Sequence, residues 1–424
     1  MSAPPSESDD PVDGPSSPPD EAGEPEPTPL LAPADGVPPL AIYADDIASA
    51  AELLATGHGA FAIDAERASG FRYSNRAYLI QIRRAGAGTV LIDPVSHGRD
   101  PLQTLRPVAE VLSEDEWVLH AADQDLPCLA ELGMRPPALY DTELASRLAG
   151  FERVNLAAMV QRLLGLSLAK GHGAADWSQR PLPEAWLNYA ALDVEVLLEL
   201  RQAIADVLEQ QHKTEWAAQE FEHLRTYESP PTRRDRWRRT SGIHKVRNPQ
   251  ALAEVRALWN ARDAIARRRD IAPGRILPDA AIIEAALADP KTMAELTKLP
   301  VFGGPKQKRS AQTWLAALAE GREDPDPPQR NEPNSGPPPA VRWSRRKPEA
   351  AARLEAARSA LSELSEQIKV PTENLVSPET VRRLCWDWKP VADPESVIEA
   401  FLTEAGSRPW QRSLVVPVLS AALR

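Results

Sequence analysis

Phe61-Ala62-Ile63-Asp64-Ala65-Glu66-Arg67 is the stretch on which the reading of the fold turns. The apolar run from Ala60 to Ile63 reads as a buried strand, and it ends in two carboxylates spaced two apart. Side chains at i and i+2 leave a strand on the same face, so Asp64 and Glu66 point together into one site. Two neighbouring anions repel, and burying either without a partner is costly. A divalent cation between them makes the arrangement reasonable. Alone, Asp-x-Glu more often marks a solvated strand end, so only further carboxylates in the right context give it meaning.

Working outward, a helical stretch precedes the strand and runs through Ala55. Strand-like runs follow it at Ala77–Ile82 and Thr89–Asp93, separated by Gly86-Ala87-Gly88, which predicts a meander. Helix Leu102–Leu112, strand Trp117–His120, helix Leu126–Leu132, strand Ala138–Asp141 and helix Thr142–Leu148 come next. Pro183 opens one long helix from Glu184 to Gln211. Three meandering strands followed by strand–helix alternation describe a mixed α/β sheet. Beyond residue 226 the chain is basic, then helical in pattern to its end, with a Pro/Asp/Asn-rich linker at 323–340.

The chain has 424 residues and a formal net charge of -12. Residues 1–39 hold nine carboxylates and no Lys or Arg, so most of that charge belongs to a Pro- and Ser-rich segment expected to be a disordered tail. The acidic balance therefore does not exclude a polyanionic partner. No apolar run approaches the ~18–20 residues of a membrane span, and no signal-peptide pattern is present. The two cysteines, Cys128 and Cys385, provide neither a disulfide framework nor a zinc site, which fits the cytoplasm.

Two further segments carry carboxylates. In His120-Ala121-Ala122-Asp123-Gln124-Asp125-Leu126 a strand end feeds a helix start, and either Asp123 or Asp125 can reach a cleft while the other caps the helix. In Tyr189-Ala190-Ala191-Leu192-Asp193 a Tyr and an Asp four apart share a helical face, and two alanines let that face approach the sheet. Four carboxylates on one sheet edge suit hard, oxygen-loving cations such as Mg2+ or Mn2+. Two such ions ~3.5–4 Å apart clamp the attacking and leaving oxygens of a phosphodiester.

These segments resemble ribonuclease D, in the Tyr-containing branch of the DEDD superfamily of 3′–5′ exonucleases. "FAIDAER", "VLHAADQDL" and "YAALDVEVL" match its three motifs in order, with "LIQI", "LYDTELA" and "KGHGAADWSQRPLP" between them. The resemblance implies an RNase H-like sheet, two Mg2+ or Mn2+ ions on Asp64, Glu66, Asp125 and Asp193, and Tyr189 holding the nucleophilic water. It puts the second-motif aspartate at Asp125 and leaves Asp123 as a cap. Gln81, His120, Lys170 and His172 are candidate substrate contacts, and Asp141 reads as a packing or capping residue.

The segment "ALAEVRALWNARDAIARRRDIAPGRILPDAAI", with "LTKLPVFGG", resembles the HRDC domain. Its Arg262, Arg267, Arg268, Arg269, Arg275, Lys306, Lys308 and Arg309, preceded by the basic run from Arg233 to Arg239, suit phosphate contacts. The expected organisation is an α/β RNase H-like exonuclease domain (40–225), a basic linker (226–247), an all-α HRDC domain (248–322), a linker (323–340) and a second HRDC-like helical domain (341–424). By family, the expected activity is release of nucleoside 5′-monophosphates from RNA 3′ ends, with tRNA precursors and other structured RNAs as substrates; the sequence does not give the oligomeric state, and a monomer is expected. A DNA-directed exonuclease uses the same site, and a non-catalytic nucleic-acid-binding protein is the other class considered.

Overall fold

The structure, a computed structural model, describes residues 26–95, 100–168, 171–226, 235–330 and 336–423. Lys170, Arg233, Arg234 and residues 1–25 of the expected tail lie outside the described residues. Among those described, the strands are β1 (Thr28–Leu30), β2 (Leu40–Ala41), β3 (His58–Arg67), β4 (Ala77–Ala85), β5 (Gly88–Ile92), β6 (Trp117–Leu119), β7 (Leu139–Asp141) and β8 (Leu166–Leu168). Six of them form one sheet in the order β2-β5-β4-β3-β6-β7. The β3–β4–β5 part is an antiparallel meander, whereas β6 and β7 run parallel to β3. The expected mixed α/β sheet is present. Gly86 turns the β4–β5 hairpin with φ +81°, a region that a side chain at this position would enter only with strain.

Alternation along β3 sorts its side chains into two layers. Phe61 and Ile63 face a core built with α1 (Ala44–Ala55), α2 (Pro101–Leu112) and α3 (Leu126–Glu131). Ala62 faces the other layer, which contains α4 (Thr142–Ala149), α5 (Leu156–Leu164), α6 (Glu184–Glu195), α7 (Leu197–Gln210) and α8 (Thr214–Thr226). Burying each Phe or Ile contributes roughly 1.5–3 kcal/mol, so a one-residue slip, which would exchange the faces, is strongly disfavoured. Asp64 and Glu66 share the parity of Ala62. They are thereby fixed on the side of the sheet where α6 lies.

Three expectations need correction. The long helix from Glu184 to Gln211 is two helices, with a break at Val196 (φ −106°, ψ −2°). Its first half lies on the sheet through fully buried Ala190 and Ala191, and its second packs on α4 and α5. One straight rod cannot follow both surfaces.

The segment up to residue 39 is not all tail. β1 pairs in parallel with β8, Asn188 donates to the Leu31 carbonyl (2.9 Å), and Ala34 N–H donates to Glu195 (3.2 Å). Backbone pairing needs no apolar composition, so a Pro- and acid-rich sequence can still form it. Residues 235–247, expected as linker, carry Trp237 and Val246 into the core of the following helical unit. A buried indole outweighs the basic residues around it.

That unit is led by α9 (Pro249–Arg269) and closed by the helix Ala311–Arg322 against it. It docks on the loop between β3 and β4. Tyr73 donates to Asp263 (3.1 Å), Ser74 N–H and the Tyr78 hydroxyl donate to Asp270 (2.8 and 3.3 Å), and Arg275 donates to the Gly70 carbonyl (2.7 Å) while covering the Phe71 ring. A last helical unit, including Pro348–Ile368 and Pro409–Ala422, packs on α8. There Trp410 stacks on Trp216 at 5.0 Å and donates to Glu220 (2.8 Å), which also pairs with Arg408 (2.7 Å). No helix among the described residues is long and apolar enough to cross a membrane.

Candidate active site

The chain turns left-handed at Ala121 (φ +61°) after β6, which ends the strand and starts the turn that carries Asp125. α6 brings Asp193 down onto β3 through its small face. Carboxylate oxygens of Asp64, Glu66 and Asp193 consequently lie within 4.8 Å of one another. Asp125 lines the same cavity of about 410 Å³, as does Tyr189. Asp125 is turned toward Arg67, whose guanidinium is 3.3 Å from its Oδ1. That oxygen is buried and makes no hydrogen bond among the described residues. Asp123, in contrast, is exposed on the outside of the turn and caps nothing with its side chain.

The residues behind the carboxylates were only partly legible. Gln81, a candidate substrate contact, does not line the cavity: it is wholly buried, pairs across the ladder with Asp64, and donates to Asp64 Oδ2 (3.2 Å). Cross-strand register, invisible in the sequence, makes it an orienting group. His120 lines the cavity and is braced by the Thr142 hydroxyl (2.9 Å). Asp141 caps α4 and also accepts the N–H groups of Ala121 (3.1 Å) and Ala122 (2.9 Å). It thus holds the strained turn that presents Asp125, a role that its spacing from the second motif could not reveal.

Tyr189 is boxed by aromatic neighbours and a glycine. His172, exposed and outside the cavity lining, meets its ring edge-on at 5.9 Å, and Trp177 lies 6.4 Å away. Gly171 packs so closely that a Cβ there would fall 1.5 Å from Tyr189 Cε2. The reason for that glycine is therefore close approach, a signal the "KGHG" text carried without a partner to explain it.

Burial and mutual repulsion raise the carboxyl pKa values. Glu66 is pushed up to about 10, by burial first and then by Asp64, Asp193 and Asp125. Asp64, Asp125 and Asp193 are all raised, chiefly by burial. Tyr189 donates to Asp193, and burial holds its own ionisation above the ordinary range. Burial lowers His120 to about 4, so its ring is neutral at physiological pH. Hard oxygen donors, a buried carboxylate oxygen that accepts no hydrogen bond and carboxyl groups crowded enough to retain protons together fit a divalent cation.

The family described as 3′–5′ exonuclease matches residues 41–209, the HRDC domain matches 251–318, and the 3′ to 5′ exonuclease C-terminal domain matches 336–423. Ribonuclease D of Granulibacter bethesdensis is 31% identical over 303 residues, covering 68% of this chain and 73% of that protein. The chain belongs to the ribonuclease D family. It is an enzyme, a 3′–5′ exoribonuclease by class. The ribonuclease D of Bartonella henselae is 33% identical over 243 residues, 55% of this chain and 58% of that protein. Among solved structures, a protein from Bifidobacterium adolescentis is 37% identical with TM-score 0.81, covering 94% of this chain and 100% of its own. Escherichia coli RNase D, at 24% identity and TM-score 0.64 over 91% and 98% of the two chains, shares the fold.

Among the basic residues of the HRDC unit, the structure divides the work. Arg262 is buried against Asp279 (2.6 Å), Arg267 reaches Tyr73 and Asp263, and Arg275 is engaged with the exonuclease loop. Arg268, Arg269, Lys308 and Arg309 remain on the surface. Of the residues expected together as phosphate contacts, only Arg262 is thus internal; Arg267 and Arg275 stay exposed while engaged with the exonuclease loop, because helical spacing does not say which side meets a neighbour.

Proposed function

We propose that this ribonuclease D-family chain releases nucleoside 5′-monophosphates from RNA 3′ ends, with Asp64, Glu66, Asp125 and Asp193 holding two divalent cations, Mg2+ or Mn2+. The observation that carries the reading is the convergence of Asp64, Glu66 and Asp193 within 4.8 Å in the cavity that Asp125 also lines. Bound there, the cations would activate water and offset the charge that builds on the phosphate. Tyr189, whose single proton is held by burial and by its bond to Asp193, orients the attacking water by accepting its O–H on the phenol oxygen and does not serve as its base. Gln81 keeps Asp64 turned toward the site, and neutral His120 supports the second-motif turn without adding charge. The surface arginines of the HRDC unit supply sequence-independent phosphate affinity, which suits structured RNA such as tRNA precursors.

The test is Asp64→Asn assayed on an RNA with a single-stranded 3′ end and on the matched DNA. Loss of nearly all turnover together with weakened Mn2+ binding supports the reading. Undiminished turnover would sink it. Faster hydrolysis of DNA than of RNA by the parent protein would move the assignment to the DNA-directed alternative.

A further inference from the structure

Arg67 lies outside the set of groups assigned so far, and its position is unusual for the residue that follows Glu66. Simple alternation sends it to the opposite face of β3. The β3–β4 ladder changes register at this point: Glu66 faces Leu79, whereas Arg67 faces Ala77. Register irregularities re-aim side chains and are over-represented beside active sites. Here the guanidinium lines the cavity, held by the Gln124 carbonyl (2.8 Å) and side-chain oxygen (3.3 Å), and meets Asp125 at 3.3 Å. It is partly exposed, its side chain 20% accessible.

Among the described residues that line the cavity, Arg67 is the only Arg or Lys. His120 brings no charge. A phosphodiester entering this acidic cavity carries a negative charge that grows during displacement, and a guanidinium fork is suited to its paired oxygens. We propose that Arg67 is a catalytic residue of this site: with Asp125 engaged by cation, its fork turns to the non-bridging oxygens of the scissile phosphate. In the ligand-free state it serves as the countercharge of Asp125. Gln124 keeps it at the cavity wall in both states. This inference rests on the nuclease reading above.

The experiment compares the full chain with Arg67→Met and Arg67→Lys, and adds guanidinium to Arg67→Ala. Removing one fixed donor to developing charge costs about 100-fold in turnover. Arg67→Met is expected to lose about that much in kcat with little change in KM, Arg67→Lys to lose less, and guanidinium to restore part of the turnover of Arg67→Ala. Mn2+ titrated calorimetrically should bind Arg67→Met as tightly as the parent or tighter, since a competitor for Asp125 is gone. Thermal melting identifies any variant that fails to fold, and the Lys variant then carries the test. Turnover within threefold of the parent, or a loss fully recovered by excess Mg2+, overturns the proposal. So does weaker Mn2+ binding, which would leave Arg67 as a mere brace for Asp125. An inactive parent protein would instead overturn the nuclease reading itself.

Discussion

At the scale of single residues the active site is a store of retained protons. A carboxyl group whose folded-state pKa exceeds its unfolded value leaves the folded state with more bound protons, so stability falls as pH rises between the two values. For Glu66 that window runs from about 4.5 to about 10. Melting in chelator should therefore fall from pH 6 to pH 9 more steeply for the parent than for Glu66→Gln, and added Mg2+ should raise the melting temperature more at the alkaline end. Equal slopes for the two proteins would remove Glu66 as the source. Gly171 makes a second prediction. Gly171→Ala forces the Tyr189 ring away, and a misplacement near 1 Å costs about 100-fold in turnover. Gly274→Ala, with nothing within 4 Å of its added methyl, is the control expected to leave kcat unchanged and melting no lower than the parent's. Asp64 and Glu66 were legible because strand period alone aligns them. Arg67 and Gln81 were not, since one depends on a register shift and the other on which residue lies across the ladder.

Elements show a similar division. The β3–β4–β5 meander was readable from apolar runs and glycine punctuation, and α6 from its small face. The break at Val196 and the pairing of β1 were hidden because both are set by surfaces formed elsewhere in the chain. β1 gives a test at this scale. It flanks β8, whose Leu168 lines the cavity, and Leu31 is tied to Asn188, the neighbour of Tyr189. A chain starting at residue 26 should match the full chain in kcat and melting. One starting at Leu40 loses the strand and two tethering hydrogen bonds, about 1 kcal/mol each. It should melt lower and turn over more slowly; identical behaviour of the two truncations would show the arm to be dispensable.

For the whole molecule, the helical units are not loosely appended. Trp410 is 3% exposed, stacked on Trp216 and bonded to buried Glu220, so its removal leaves both a cavity and an uncovered carboxylate. Trp410→Ala should cost about 3–5 kcal/mol of stability, read by denaturant unfolding, whereas Trp410→Phe should cost less. A loss below about 1 kcal/mol would mean that this interface is only a light contact. The clasp on the other side has a different consequence. Tyr73 and Ser74 belong to the segment that leaves the strand of Asp64 and Glu66, and Tyr78 to β4 which follows; Asp263 of α9 and Asp270 just beyond its end grip them directly. The HRDC unit is thereby fastened to the chain a few residues beyond the acidic strand, so a displacement of that unit would pull directly on the stretch that joins Asp64 and Glu66 to their neighbouring strand.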